Sequence, residues 1–178
     1  NNEHRKATGK SMYFIPEGGS DVLGALGFVN AVCEVAQQYK ERQEPFPDYV
    51  YLLSGSSGSV AGFLVGLDLL HIQTTPIIVA LAPDAYLNQQ HDKIEKLYTA
   101  IMQYITHLDL RIKTYQIPQN TVLYKHGFSQ TSDQALTAAA PTTQTIINKL
   151  TSYTLDPLYA TRLWTAFLLD CQNNYLAH

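Results

Sequence analysis

Apolar positions fall in blocks whose spacing alternates between short continuous runs and longer helical stripes. The run Met12-Tyr13-Phe14-Ile15, closed by Pro16, predicts a short strand. A loop, 17-EGGSD-21, follows, with Ser20 or Asp21 placed to cap a helix over Val22 to Tyr39. That helix carries Leu23, Leu26, Val29, Val32 and Ala36 on one stripe. Its small residues Gly24, Ala25 and Gly27 allow a close neighbour. A polar stretch from Lys40 to Asp48, with Pro45 and Pro47, ends it. Tyr49 to Leu53 then predicts a second strand, Ser54 to Ser59 a loop, and Val60 to Leu70 a helix. Pro76 to Ala82 is a continuous apolar run of the buried parallel type. Leu87 to Leu108 shows a helical stripe of Ile94, Leu97, Tyr98, Ile101, Met102 and Ile105. A short strand is expected at Thr121 to Tyr124, with helices near 132–140, 141–150 and 159–175. Strand and helix alternate. The expected class is α/β, a three-layer arrangement of a mostly parallel sheet with helices on both faces and right-handed crossovers.

Composition supports this picture. The 178 residues are 46% hydrophobic and 15% charged, as in a globular protein with one core. Residues 12–178 are expected to form one α/β domain behind a linker or disordered lead over 1–11. The chain opens on Asn1, which suggests a processed or partial chain. A net charge of -3 leaves no electrostatic footprint for nucleic acid. No apolar run reaches the roughly 18 residues of a membrane span. The two cysteines, Cys33 and Cys171, lie in apolar patterns and predict core thiols in a reducing, cytoplasmic setting. The six histidines lack zinc-ligand spacing.

The chemistry concentrates in 54-SGSSGSVAG-62. A glycine loop between a parallel strand and a helix start gathers backbone N–H groups, and the helix dipole adds about half a positive charge. Gly55 and Gly58 are placed to take positive φ and let an anion approach the backbone. Ser54, Ser56, Ser57 and Ser59 add hydroxyls. The loop has neither the lysine of a P-loop nor the spacing of a dinucleotide fingerprint. It suits a phosphate monoester at the carboxyl end of a sheet, or serves only as a turn.

Two loops together carry a resemblance. The stretch 14-FIPEGGSDVLGALGFVNAVCEVAQQ-38, then 49-YVYLLSGSSGSVAGFLVGL-67, then 155-LDPLYATRLWTAFLLD-170 resembles, in order, three segments of the D-cysteine desulfhydrase and 1-aminocyclopropane-1-carboxylate (ACC) deaminase family. The resemblance covers nearly the whole chain but only the C-terminal half of that family's protein. It implies part of the large domain of a fold-type II pyridoxal-phosphate enzyme. The implied cofactor is pyridoxal 5'-phosphate and the implied substrate a small amino acid, with ammonia and a 2-oxo acid as products. It also implies a homodimer.

Carried over by position, the resemblance places the cofactor phosphate on Gly55, Ser56, Ser57, Gly58 and Ser59, with Gly18, Gly19 and Ser20 beside it. Ser57 stands where the family has glycine, which requires a negative φ or accepted strain. Asp21 replaces an asparagine. Tyr159 matches an active-site tyrosine able to donate a hydrogen bond or transfer a proton. Ala160 stands where the family has Thr or Glu facing the pyridine nitrogen, and Thr161-Arg162 replaces Gly-Lys. His126 falls where the family has a second active-site tyrosine and is a candidate proton carrier. The family's cofactor-anchoring lysine and substrate-carboxylate loop lie in the part not matched. None of the chain's lysines stands in such a context.

Two functions follow as expectations. One is the C-terminal part of a lyase or deaminase, inactive alone. The other is a degenerate module that keeps the phosphate seat and has lost the chemistry. A generic nucleotide-binding or response-regulator-like domain fits worse, because neither an acidic triad nor a nucleotide fingerprint is present. Surface normally covered by the rest of the protein also predicts self-association of the chain, which light scattering reports.

Overall fold

The computed structural model describes residues 2–81, 86–109, 123–125, 130–173 and 175, with the backbone alone at 2, 123–125 and 130–137. His126, Thr121 and Val122 lie outside the described residues. The elements in order are α1 (Asn2–Thr8), a 3-10 turn (Glu17–Gly19), α2 (Val22–Glu41), β1 (Tyr49–Ser54), α3 (Gly58–Leu69), β2 (Thr75–Ala80), α4 (Leu87–Leu108), β3 (Leu123–Lys125), α5 (Gln130–Leu150) and α6 (Ala160–Gln172).

The three strands are parallel in the order β1-β2-β3, with Tyr51 opposite Ile77 and Ile77 opposite Leu123. Each pair is joined by a helix, as a parallel ladder requires. The side-chain period of two then sorts the strands between two cores. Leu52 and Ile78 face α2, α3 and α4, where Val29, Val60, Leu64, Val65, Ile94, Tyr98 and Ile101 pack together. Tyr51, Leu53 and Val79 face α6 through Leu163, Ala166 and Leu169. The sheet thus has helices on both faces. α3 and α4 share one face, as crossovers of one hand between strands laid down in order require.

Each core contains one phenol bonded to a carboxylate. The Tyr98 hydroxyl on α4 donates to Asp68 at the end of α3. The Tyr51 hydroxyl on β1 donates to Asp170 of α6 at 2.5 Å. Burial first, then the carboxylate partner, pushes both phenols far above the usual tyrosine range. They are fixed hydrogen-bond donors that tie a helix to its neighbour across each core.

Several expectations are corrected. Met12 to Pro16 is not a strand. No described strand offers it a ladder, and Tyr13 and Phe14 are 76% and 82% exposed. An apolar run beside no described strand cannot satisfy its backbone as sheet. The polar lead carries the short helix α1, whose described side chains are almost all exposed, an observation that leaves a linker role open. The two helices predicted on either side of Pro141 are one helix, α5. Proline removes its own N–H bond and crowds the carbonyl four residues before it, yet the helix runs on. Packing on α6 continues past it, and the buried Thr143 hydroxyl lies 2.9 Å from that of Thr165. Cys33 and Cys171 are exposed rather than core. The helical turn of about 100° per residue that buries Val32 swings Cys33 outward.

The closest packing is between α2 and α3. Gly58, Gly62 and Gly66 recur every fourth residue along α3 on the side facing α2. A methyl at Gly62 would overlap the carbonyl oxygen of Ala25 and lie 2.9 Å from Phe28 Cβ, and one at Gly66 would lie 2.7 Å from Val32 Cβ. Backbone cannot yield as a flexible side chain does. Gly62→Ala is therefore expected to destabilise the chain by about 1–3 kcal/mol. A urea unfolding curve checks this, and an unmoved midpoint would refute the close packing.

Candidate phosphate-binding site

β1 ends at Ser54 and β2 at Ala80, so the loop 54–59 lies at the carboxyl end of the sheet, where open α/β folds bind ligands. Ser57 caps α3 with φ 76°, a left-handed conformation, while Gly58 begins the helix. A left-handed residue followed by a helical one aims successive N–H groups into one concavity, an anion nest at the positive end of the α3 dipole. The N–H groups of Ser56 and Ser57 have no acceptor among the described residues.

The glycines and serines exchange the roles expected of them. Gly55 and Gly58 do not take positive φ; Ser57 does, at the cost of strain in a buried non-glycine residue. Gly58 is needed for space. A methyl there would lie 2.5 Å from Ser20 Oγ and 3.1 Å from Ser20 Cα. The Ser20 hydroxyl accepts from the Gly58 N–H at 3.1 Å and donates to Ser56 Oγ at 2.6 Å. On the facing loop, Gly18 and Gly19 take φ 65° and 61°, and a methyl at Gly18 would overlap Ser56. The two loops that the sequence pairs only by resemblance are thus interlocked. The Ser20 oxygen holds one of the nest's donors.

Asp21 caps α2, accepting from the Gly24 N–H at 2.7 Å, so that contact with the helix start fixes its carboxylate. Ser59 is half-buried in the first turn of α3. Beside Ser20 opens a cavity of about 460 Å³ bordered by Asp92, Lys93 and Lys96 of α4, which puts two cations against one anion near the loops.

Tyr159 is brought to the same place. A methyl built on Gly55 would touch its Cε1 at 3.7 Å and Leu81 Cδ1 at 3.5 Å. The ring is half-exposed and immediately precedes α6. Asp156 places it there. Its Oδ1 accepts from the N–H of Tyr159 at 2.6 Å and of Leu158 at 3.0 Å, and its Oδ2 from Ala160 at 2.8 Å. The bonds from Tyr159 and Ala160 hold the Asp156 carboxyl below the usual range. Ala160 offers no polar atom. The Thr161 hydroxyl is buried and spent on the Asp156 carbonyl at 2.6 Å.

Two further residues escaped the sequence reading. Asp156, in an Asp-Pro before a helix, carries a recognisable capping signature. Gln90 is 7% exposed, and its amide nitrogen donates to the carbonyls of Ser54 at 2.7 Å and Gly55 at 3.0 Å. It stands four residues before Ile94 on the apolar stripe of α4, a polar residue where the period demands burial.

Ser57→Gly removes the left-handed strain and is expected to raise stability by about 0.5–1 kcal/mol. If Ser57 were not left-handed, the same change would lower stability, and the sign read from urea unfolding decides between the two. Asp156→Ala is expected to cost about 1 kcal/mol near neutral pH. A carboxyl held low when folded stabilises above the ordinary value of 3.8, and that contribution disappears as pH falls through the lower folded value. The two unfolding curves should therefore converge in acid, and a gap that persists at pH 2 would refute the cap.

No protein-family model matches the chain. It is 30% identical over 154 residues to the D-cysteine desulfhydrase of Klebsiella pneumoniae, covering 86% of this chain and 43% of that protein. It is 28% identical over 160 residues to a Pyrococcus furiosus protein named provisionally as a 1-aminocyclopropane-1-carboxylate deaminase, covering 90% and 45%. A crystal structure titled as an ACC deaminase homologue superposes with a TM-score of 0.72 over 97% of this chain and 48% of that one, at 22% identity, which speaks to the fold alone. The chain spans about half the length of the relatives it matches. Over most of its length the chain is similar in sequence to proteins of the D-cysteine desulfhydrase and ACC deaminase family, and it shares the fold of an ACC deaminase homologue.

Proposed function

We propose that the chain is the phosphate-holding C-terminal part of a pyridoxal-phosphate-dependent lyase or deaminase acting on a small amino acid. The observation that carries this reading is the left-handed Ser57 at the start of α3, in a loop whose Gly58 N–H bonds to Ser20 and whose Gly55 lies against Tyr159. The nest fits a phosphate monoester. It has N–H donors without an acceptor among the described residues and a helix dipole behind it. Pyridoxal phosphate, when bound, supplies electron withdrawal from the substrate's α-carbon.

The chain's own residues divide the work as follows. Ser56, Ser57 and Ser59 hold the phosphate, Gly58 bonds the loop to Ser20, and Gly18, Gly19 and Ser20 close one side. Gly55 leaves room beside the Tyr159 ring, whose hydroxyl is placed to donate a hydrogen bond or pass a proton to the substrate. Ala160 leaves the pyridine nitrogen without a charged partner, so that nitrogen is not tuned from this position. His126, the other candidate proton carrier, belongs to the same proposal by its place in the sequence. The chain alone binds and orients but does not turn over, because no lysine of the chain stands in an anchoring context. It is a cytoplasmic protein on this reading, and it pairs as a homodimer.

A second reading is a degenerate binding module. Ala160 and the commitment of Thr161 to a capping bond favour it.

Titration with pyridoxal phosphate, followed by phosphorus NMR and then borohydride reduction, tests the division of labour. The expected result is binding that inorganic phosphate competes away, with no cofactor left covalently attached. Binding that phosphate cannot displace would refute the seat. Cofactor trapped on one of the chain's own lysines would refute the claim that the anchor lies elsewhere.

A further inference from the structure

We propose that Gln90 is a positioning residue of the phosphate seat, acting from behind the loop; the proposal rests on the reading of 54–59 as that seat. An anion nest has two sides. Its N–H groups face the ligand, so its carbonyl groups face away and need donors of their own. The Ser54 carbonyl accepts from the Leu81 N–H at 2.8 Å and from Gln90 Nε2 at 2.7 Å. The Gly55 carbonyl accepts from the same Nε2 at 3.0 Å. A primary amide has two N–H donors, and both are engaged here on adjacent carbonyls.

This bond sets direction as well as stability. No peptide bond among the described residues is cis. In a trans peptide the C=O and the following N–H are antiparallel. Pulling the Ser54 and Gly55 oxygens toward α4 therefore turns the N–H groups of Gly55 and Ser56 away from α4, toward the mouth of the nest. Gln90 decides which way the loop's donors point, although it touches no ligand itself. Its own oxygen supports this. Gln90 Oε1 is buried with no hydrogen-bond partner among the described residues. Exchanging the amide's oxygen and nitrogen would press an oxygen against two carbonyls, so the observed orientation is imposed by the loop. A buried acceptor left unpaired is costly, and side chains carrying that cost concentrate where a constraint other than stability acts. An apolar residue would continue the α4 stripe without it.

The test compares wild type with Gln90→Leu and with Gln90→Glu, which keeps the shape and removes the donors. The probe is inorganic phosphate, its affinity read by phosphorus NMR, with amide exchange of α3 measured to show that the variants are folded. Both variants should bind phosphate about ten-fold more weakly, while core amides of α3 keep their protection against exchange. Protonating the introduced carboxylate of Gln90→Glu restores one donor, so the deficit of that variant relative to wild type should shrink as pH falls. A merely structural glutamine gives no such recovery. If wild type binds phosphate and the folded variants bind equally well, Gln90 positions nothing. If wild type itself binds no phosphate, the seat reading falls and takes this proposal with it. If Gln90→Leu fails to fold, the outcome is decided by Gln90→Glu and its pH dependence.

Discussion

Everything near the site depends on how closely the start of α3 approaches the loop before α2. Gly62 lets α3 meet the backbone of α2 at Ala25, Gly66 makes room for Val32, and Gly58 makes room for Ser20. That approach brings the Ser20 hydroxyl onto the Gly58 N–H and seats Gly18 against Ser56. A larger residue at any of these positions would hold the loops apart, and the two glycine stretches would be unrelated surface turns. The small side chains therefore do not bind anything themselves. They remove bulk so that backbone and hydroxyl groups from two distant segments act as one surface.

The strain at Ser57 fits that arrangement. A left-handed serine is stable only where its surroundings over-determine it. Here β1 holds one end, α3 continues from the other, and Gln90 grips the carbonyls just before it. Tyr159 arrives from the far end of the chain because Asp156 caps α6 and Tyr51 bonds to Asp170 across the second core. The site is assembled from two helix starts that converge at the carboxyl end of the sheet, and each is fixed by a carboxylate or hydroxyl that satisfies backbone N–H groups.

Much of the fold was legible because burial imposes a period. α4 has the predicted bounds, Leu87 to Leu108, since its apolar stripe is long and unbroken. β2 stands out as a continuous apolar run because it is covered on both faces. The run at Met12 to Ile15 looked equally good, yet strand formation needs a partner that local pattern cannot supply. Pro141 looked like a boundary, because the sequence shows the lost N–H but not the packing on α6 that carries the helix across it. Cys33 was misplaced for a related reason, as neighbours in an apolar stretch of helix do not share a face.

By itself, the sequence determined the alternation of strand and helix, the parallel character of the sheet and the presence of a glycine-serine loop at a helix start. These follow from periodicity and from the few residues that tolerate such turns, and both are properties of neighbouring positions. Only the tertiary structure decided which residue bears the left-handed turn, that Ser20 reaches Gly58, that Tyr159 lies over Gly55 and that Gln90 grips the loop from behind. Those relations join residues separated by tens of positions or more, and distance in space along such a chain is set by packing, which no local pattern records.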